Sequence, residues 1–189
     1  SINESNLKRK VMSQQGQTLE YFKTHADNWN KKAHDEVYSL IENRHRAVLE
    51  VMKDYATKPS ILDVGCGTGQ LAIESYRLGW DATGVDFAQE MVDICLDNNS
   101  KSRTKAKFIC SSIFETKLEN KSYDVVSAQG FIEYISLQQL DEFLDLVHRL
   151  LKDGGAIALG SRNRLFNLNT LNNFTDLEAS LGTINNLIK

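Results

Sequence analysis

The sequence predicts an α/β protein built on a doubly wound, mostly parallel sheet. Three observations carry that expectation. From residue 60 onward, short apolar runs alternate with stretches of helical periodicity, a pattern that pairs strands in parallel through right-handed crossovers. The first run is followed directly by a glycine-rich turn and then a helix. The length, 189 residues, suits one domain with a sizeable core.

The chain opens loosely and then becomes helical. Tyr21, Phe22, His25, Ala26 and Trp29 have near-helical spacing and predict a short helix. Val37, Leu40, Ile41, Val48, Leu49, Val51, Met52 and Tyr55 form a clearer helical stripe over 37–55. Pro59, the only proline, ends it, because a helix interior has no place for a residue without an N–H. Ile61–Val64 then reads as a buried strand, and Thr68–Leu78 as a helix with Leu71, Ala72, Ser75 and Leu78 inward, stopped by Gly79. Asp81–Val85 is a second strand. Ala88–Asn98 is a helix facing inward through Met91, Val92, Cys95 and Leu96. Lys107–Cys110 and Tyr123–Ala128 are the third and fourth strands. Leu137–Leu151 is an amphipathic helix with Leu140, Phe143, Leu144, Val147 and Leu150 inward. Asp153-Gly154-Gly155 reads as a turn before a fifth strand, Ala156–Leu159. In such a sheet the ligand sits at the carboxyl ends of the strands, near the switch point. The residues just after each strand are therefore the ones to inspect.

Bulk properties narrow the function classes. The formal charge is −3, and the basic residues are dispersed apart from small groups at Lys8–Lys10 and 101–107, read as solvated surface. No nucleic-acid footprint results. The mean hydropathy is −0.37, and no apolar run reaches membrane-spanning length. The first twenty residues lack the apolar core of a signal peptide. A cytoplasmic protein with no membrane insertion is expected. The three cysteines, Cys66, Cys95 and Cys110, are odd in number and contain no C-x-x-C pair, so neither a disulfide framework nor a metal site is expected. Cys66 and Cys110 are assigned to packing.

The most informative stretch is Ile61-Leu62-Asp63-Val64-Gly65-Cys66-Gly67-Thr68-Gly69-Gln70. Glycines permit positive φ and let a ligand approach the main chain. A phosphate-binding P-loop would require a lysine after the last glycine, and none is present. A dinucleotide fingerprint would require Gly or Ala where Gln70 stands. The spacing is G-x-G-x-G, preceded by the strand acid Asp63. This resembles motif I of class I S-adenosylmethionine-dependent methyltransferases of the small-molecule type, over about residues 20–160.

The resemblance implies a Rossmann-like methyltransferase fold with S-adenosylmethionine as cofactor and S-adenosylhomocysteine as product. Asp63, Gly65, Cys66, Gly67 and Gly69 would form the loop beside the methionine part, with Asp63 favouring its ammonium. Asp86, ending the second strand, would accept hydrogen bonds from the ribose hydroxyls, a role it could equally fill for NAD. Phe87 and Met91 would flank the adenine, with core packing the rival use for Met91. Ser112 stands where many members carry Asp against the adenine amino group, and Ile113 offers its main chain there. Gln129, after the fourth strand, would lie by the methionine part, with Gly130 allowing close approach. Glu133 would cap the next loop or touch ligand, and Tyr134 replaces a histidine frequent at that place. Tyr21, Phe22, Ala26, Asp27 and Trp29 resemble the leading helix that closes over the cofactor.

These expectations divide the chain into an N-terminal helical cap, 1–56, and an S-adenosylmethionine-binding core, 57–189. The family fold usually adds two more strands, which are not found in 161–189. Truncation at the C-terminus is one explanation, and an exposed sheet edge covered by a homodimer partner is a related expectation. The expected reaction is O- or N-methylation of a small-molecule acceptor. Positioning does most of the work, and no catalytic base is assigned: His25, His34, His45 and His148 qualify by type alone. Arg162 and Arg164, if turned to the site, would favour an anionic acceptor. An NAD-dependent oxidoreductase and a non-catalytic S-adenosylmethionine-binding regulatory or partner subunit remain the alternatives.

Overall fold

Every residue of β1 (Ser60–Val64) is buried, so this strand needs neighbours at both edges and cover on both faces. The computed structural model describes residues 14–32, 39–53 and 58–161, together with Ala179, and within these it supplies both. Strand β1 pairs with β2 (Asp81–Asp86) on one side and β4 (Tyr123–Gln129) on the other. Beyond them lie β3 (Lys107–Cys110) and β5 (Leu151–Gly160), in the order β3-β2-β1-β4-β5. All four pairings are parallel. The chain winds outward from β1 to β3, then returns to start again on the far side with β4. The switch point therefore lies between β1 and β4, and opens a crevice at their carboxyl ends.

The two faces of the sheet carry separate cores. On one, Ile61 and Val125 pack with Ala82, with Leu71 and Ala72 of α3 (Gln70–Arg77), and with Val48 and Met52 of α2 (Ser39–Met52). On the other, Leu62, Val64, Val85, Val126 and Ala128 meet Phe143, Val147 and Leu150 of α5 (Leu137–Leu150). Successive residues of a strand point to opposite faces, which is why Ile61 and Leu62 belong to different cores. Helix α5 begins with a capping box: Gln139 N–H donates to Ser136 Oγ at 3.2 Å, and Ser136 N–H donates to Gln139 Oε1 at 3.1 Å. Helix α1 (Gln14–Lys32) lays Ala26 against Ala88 and Met91 at the start of α4 (Gln89–Lys101). No described helix is long and apolar enough to cross a membrane.

The predicted strands and helices are found with boundaries shifted by a few residues at most, except at the extended α1 and at β5. Other expectations change in detail. The helical spacing predicts Val51, Leu78, Leu96 and Leu144 inward, whereas all four are exposed. Val51, Leu96 and Leu144 each stand beside a buried residue (Met52, Cys95 and Phe143), and one step along a helix turns a side chain by about 100°. Leu78 caps the end of α3, where Gly79 takes φ +86° and the chain leaves the helix. The Asp153-Gly154-Gly155 turn is instead an irregularity within β5. That strand pairs Leu151 with Tyr123 and resumes at Ala156 with Val125, so the intervening residues bulge out. Cys110 is exposed rather than packed, because β3 is an edge strand. The predicted contributions of Val37 and Tyr55, and the tail from 162 apart from Ala179, lie outside the described residues.

Gly84 in β2 shows how tightly the loop region is built. A Cβ there would come within 2.8 Å of Phe108 Cδ1 and 2.9 Å of Cys66 Sγ. Gly84→Ala is expected to lower the unfolding free energy by about 1–3 kcal/mol, read from urea denaturation. An unchanged midpoint would show that Phe108 and the loop yield freely.

Candidate functional site

Asp86 closes β2 with its side chain almost wholly buried, and both carboxylate oxygens receive main-chain donors. Gly67 N–H donates to Oδ2 at 3.0 Å and Ala88 N–H to Oδ1 at 3.0 Å. One carboxylate thus ties the glycine loop after β1 to the turn that starts α4. The loop lies close over β2, with Gly65 N–H and Cys66 N–H both donating to Val85 O, at 2.8 and 3.1 Å. Gly67 has φ +56°, and the space where a side chain would begin is open. The sequence folds this way because three glycines let the chain reverse above the sheet without side chains filling the gap.

These elements border a cavity of about 730 Å³, part of it open to solvent. Gly65 and Gly67 line one side, Asp86, Phe87 and Met91 a second, and Ser112, Ile113 and Phe114 a third. Phe131, Tyr134 and Ile135 follow β4, and Thr18 and Phe22 of α1 complete the enclosure. Phe22 meets Tyr134 edge-on, with ring centroids 5.6 Å apart. The walls are mostly apolar, with Asp86 a single acidic group at one place. Such a cavity suits an organic ligand with a large apolar part and hydroxyl or N–H donors for Asp86.

Of the expected site residues, Gly65, Gly67, Asp86, Phe87, Met91, Ser112 and Ile113 line this cavity together. Asp63, Cys66, Gly69 and Gln129 do not. Asp63 is buried within β1 beneath the loop. Cys66 and Gly69 turn their Cβ sides toward the interior, where Cys95 and Phe108 pack. Gln129 Nε2 donates to Ala158 O at 3.0 Å, so this side chain braces β4 against β5. Glu133 is buried close to Gly130.

Thr18, Ser111, Phe114, Phe131 and Ile135 join the site without having been singled out. The spacing Thr18–Phe22–Ala26, one residue every four, was the available sign of a helix face turned to the cavity. Of the histidines, His25 stacks on Tyr21 at 4.3 Å, half-buried His45 lies on α2 and exposed His148 on α5; none of these lines the cavity. His34, Arg162, Arg164 and the side chains of Asp27 and Trp29 lie outside the described residues. Among the described residues, no group of three metal-ligating side chains comes together.

Two buried acids give the site an unusual charge state. Burial pushes the Asp63 carboxyl up to about 7, and the nearby Asp86 carboxylate adds to the rise. Ser127, in register on β4, pulls the other way, although its hydroxyl closes no well-formed hydrogen bond. Burial likewise raises Asp86 to about 6, against the lowering effect of the Ala88, Gly67 and Phe87 N–H groups.

A family model described as a methyltransferase domain matches residues 61–155. The ubiquinone biosynthesis O-methyltransferase of Rickettsia bellii (strain OSU 85-389) is 34% identical over 135 residues, covering 68% of this chain and 55% of that protein. The chain spans about half the length of the curated relatives it matches. Magnesium protoporphyrin IX methyltransferase from Synechocystis PCC 6803, solved with bound SAM, superposes with a TM-score of 0.62 at 17% identity, over 75% of this chain and 74% of that one. Phosphoethanolamine N-methyltransferase 1 from Haemonchus contortus, in complex with phosphoethanolamine and S-adenosylhomocysteine, gives 0.60 at 21% identity, over 78% of this chain and 33% of that one. At these identities the two structures share a fold with this chain.

The raised acids fix a pH dependence. Between about 4 and about 7 the folded protein holds more protons at Asp63 than the unfolded chain, so this group favours folding less as pH rises through that window. His45, lowered to about 4 by burial and by Arg44, acts in the opposite sense. Asp63→Asn removes the first contribution and leaves the second. The melting temperature of the parent relative to this variant is expected to increase as pH falls from 8 to 5. Parallel melting profiles would contradict the assignment.

Proposed function

The chain belongs to the methyltransferase domain family, and on that premise we propose that it binds S-adenosylmethionine and transfers the methyl group to an oxygen of a small-molecule acceptor. The observation that carries this reading is Asp86: a buried carboxylate at the end of β2, bonded to the glycine loop and lining an otherwise apolar cavity. Oxygen is chosen as the methylated atom because the curated relatives matched here are named as O-methyltransferases. Those names also weigh against the NAD-dependent oxidoreductase, as does Gln70 in the third position of the fingerprint.

The residues present fit the cofactor. Asp86 is placed to accept from the ribose hydroxyls while holding Gly67 and Ala88. Phe87, Met91 and Ile113 offer apolar faces to the adenine, and Ser112 a polar edge in place of a carboxylate. Gly65 and Gly67 leave room beside the main chain for the methionine part. Asp63 acts from beneath the loop: with its carboxyl near 7, a cation above it would draw out the proton and favour the anion. Cys66, Gly69 and Gln129 shape the loops from behind.

When bound, the cofactor supplies a methyl group already activated on a sulfonium. The remaining task of the protein is to hold an acceptor oxygen in line with that methyl and to keep water out. Phe22, Phe131, Tyr134 and Ile135 suit an acceptor with an apolar or aromatic body. An oxygen acceptor arrives protonated, and its proton leaves to solvent at the open side of the cavity. Among the described residues lining the cavity, Tyr134 and Asp86 are the titratable ones. Tyr134 is assigned to orient the acceptor hydroxyl.

The division at residues 56 and 57 belongs to the same proposal, the N-terminal part contributing Thr18 and Phe22 to the cavity. So does a cytoplasmic setting, supported by free thiols at Cys66, Cys95 and Cys110.

Calorimetric titration with S-adenosylmethionine tests the reading. Asp86→Ala removes the two charge-assisted hydrogen bonds proposed to the ribose hydroxyls, together about 3 kcal/mol, and is expected to weaken binding about 100-fold. Release of S-adenosylhomocysteine with hydroxyl-bearing acceptors would then separate the enzyme from a non-catalytic binding subunit. Equal affinity in parent and variant would overturn the site.

A further inference from the structure

Behind the glycine loop, on the side away from the cavity, two buried thiols face each other. Cys66 Sγ and Cys95 Sγ lie 3.9 Å apart, one in the loop and the other on α4. Cys95 Sγ also donates to Gly67 O at 3.0 Å. Gly67 in turn donates its N–H to Asp86. The thiol pair and the site carboxylate are thus joined through one residue of the loop. The sulfurs are seated where side chains are missing: a Cβ on Gly84 would stand 2.9 Å from Cys66 Sγ, and one on Gly69 would stand 3.0 Å from Cys95 Sγ. The two glycines make room for Phe108 and for this pair together.

We propose that Cys66 and Cys95 are a reversible oxidation site: a peroxide joins them in a disulfide that deforms the glycine loop and weakens cofactor binding, and a thiol reductant restores it. The loss of affinity rests on the S-adenosylmethionine reading of the cavity; the disulfide itself does not. In the oxidation each thiol gives up one proton and one electron and an S–S bond forms. The peroxide O–O bond breaks, takes up the two electrons and two protons, and yields two water molecules when the oxidant is hydrogen peroxide.

The geometry gives the direction of the effect. A disulfide requires the sulfurs to close from 3.9 Å to roughly 2 Å. Cys66 is held to the sheet through its N–H on Val85 O, and its own carbonyl receives Gly69 N–H at 3.0 Å. Closure draws the loop and α4 toward each other at this point, and each carries residues that line the cavity: Gly65 and Gly67 on one, Met91 on the other. Oxidation also removes the thiol hydrogen that Cys95 gives to Gly67 O. The hydrogen bond to Cys95 and burial both hold the Cys66 thiol well above its usual range, so this thiol rests protonated and reacts slowly. Exposed Cys110 is the competing thiol, and Cys110→Ser removes it without touching the pair.

The test uses the full chain carrying Cys110→Ser, incubated with hydrogen peroxide and then freed of it. Peptide mass spectrometry without reductant is expected to find the fragments of Cys66 and Cys95 linked, two mass units below the sum of the free thiols. S-adenosylmethionine affinity is expected to fall at least tenfold, to return with dithiothreitol, and to be insensitive to peroxide after Cys95→Ala. Should Cys95→Ala fold poorly, reversal by dithiothreitol in the parent background serves as the control. Absence of the linked peptide in folded, oxidised protein would overturn the proposal, as would a disulfide that leaves affinity unchanged. A reduced protein that does not bind S-adenosylmethionine would instead overturn the cofactor reading, with the linked peptide still deciding whether the thiols form a bridge.

Discussion

The site depends on one buried carboxylate bonded to two main-chain N–H groups. Asp86 receives Gly67 from the glycine loop and Ala88 from the start of α4. Without it, the buried Ala88 N–H would be left unpaired, at a cost of about 1–3 kcal/mol, and the loop would lose its tie to the end of β2. With it, the end of β2, the turn after β1 and the first turn of α4 are set at fixed spacing, and the cavity takes its shape from that spacing. The positive φ of Gly67, which favours glycine, and the burial that raises the Asp86 carboxyl to about 6 are two aspects of the same arrangement.

The sheet explains why the carboxylate can be so placed. Parallel strands buried on both faces bring their carboxyl ends to one edge, and the return of the chain from β3 to β4 leaves a crevice there. Both cores press on β1, so its end is rigid. Asp63 is the cost of that rigidity: a carboxyl within a strand whose every residue is buried, raised to about 7 and close to a second acid. An acid held in so unfavourable a place is a common mark of a functional site.

Much of this was legible in the sequence. The β-strand runs, the glycine spacing and Asp86 at a strand end each follow from local pattern: a continuous apolar run marks a strand covered on both faces, and the glycines mark the turn after it. What escaped was set by tertiary contact. Gln129 occupies the expected strand end, yet its amide is taken by Ala158 O on β5, a partner that strand spacing does not reveal. Cys66 and Gly69 belong to the motif but face the packing side: Cys66 Sγ meets Cys95, and Gly69, at φ +84° where α3 begins, lies against Phe108 and Cys95. Thr18, Phe114, Phe131 and Ile135 line the cavity from segments whose approach is decided by how α1 and the turns after β3 and β4 fold back. The bulge in β5 resembled a turn because Gly154, at φ +79°, is needed in either structure.

The central claim is that the crevice beside Asp86 is the cofactor's seat, and amide shift mapping by NMR with S-adenosylhomocysteine tests it most directly. The expected result is saturable change concentrated at Gly65, Gly67, Asp86, Phe87, Ser112 and Ile113, with the outer face of α5 around Glu142 and Arg149 unmoved. Change centred on that outer face, or none at the glycine loop at saturating ligand, would contradict the account.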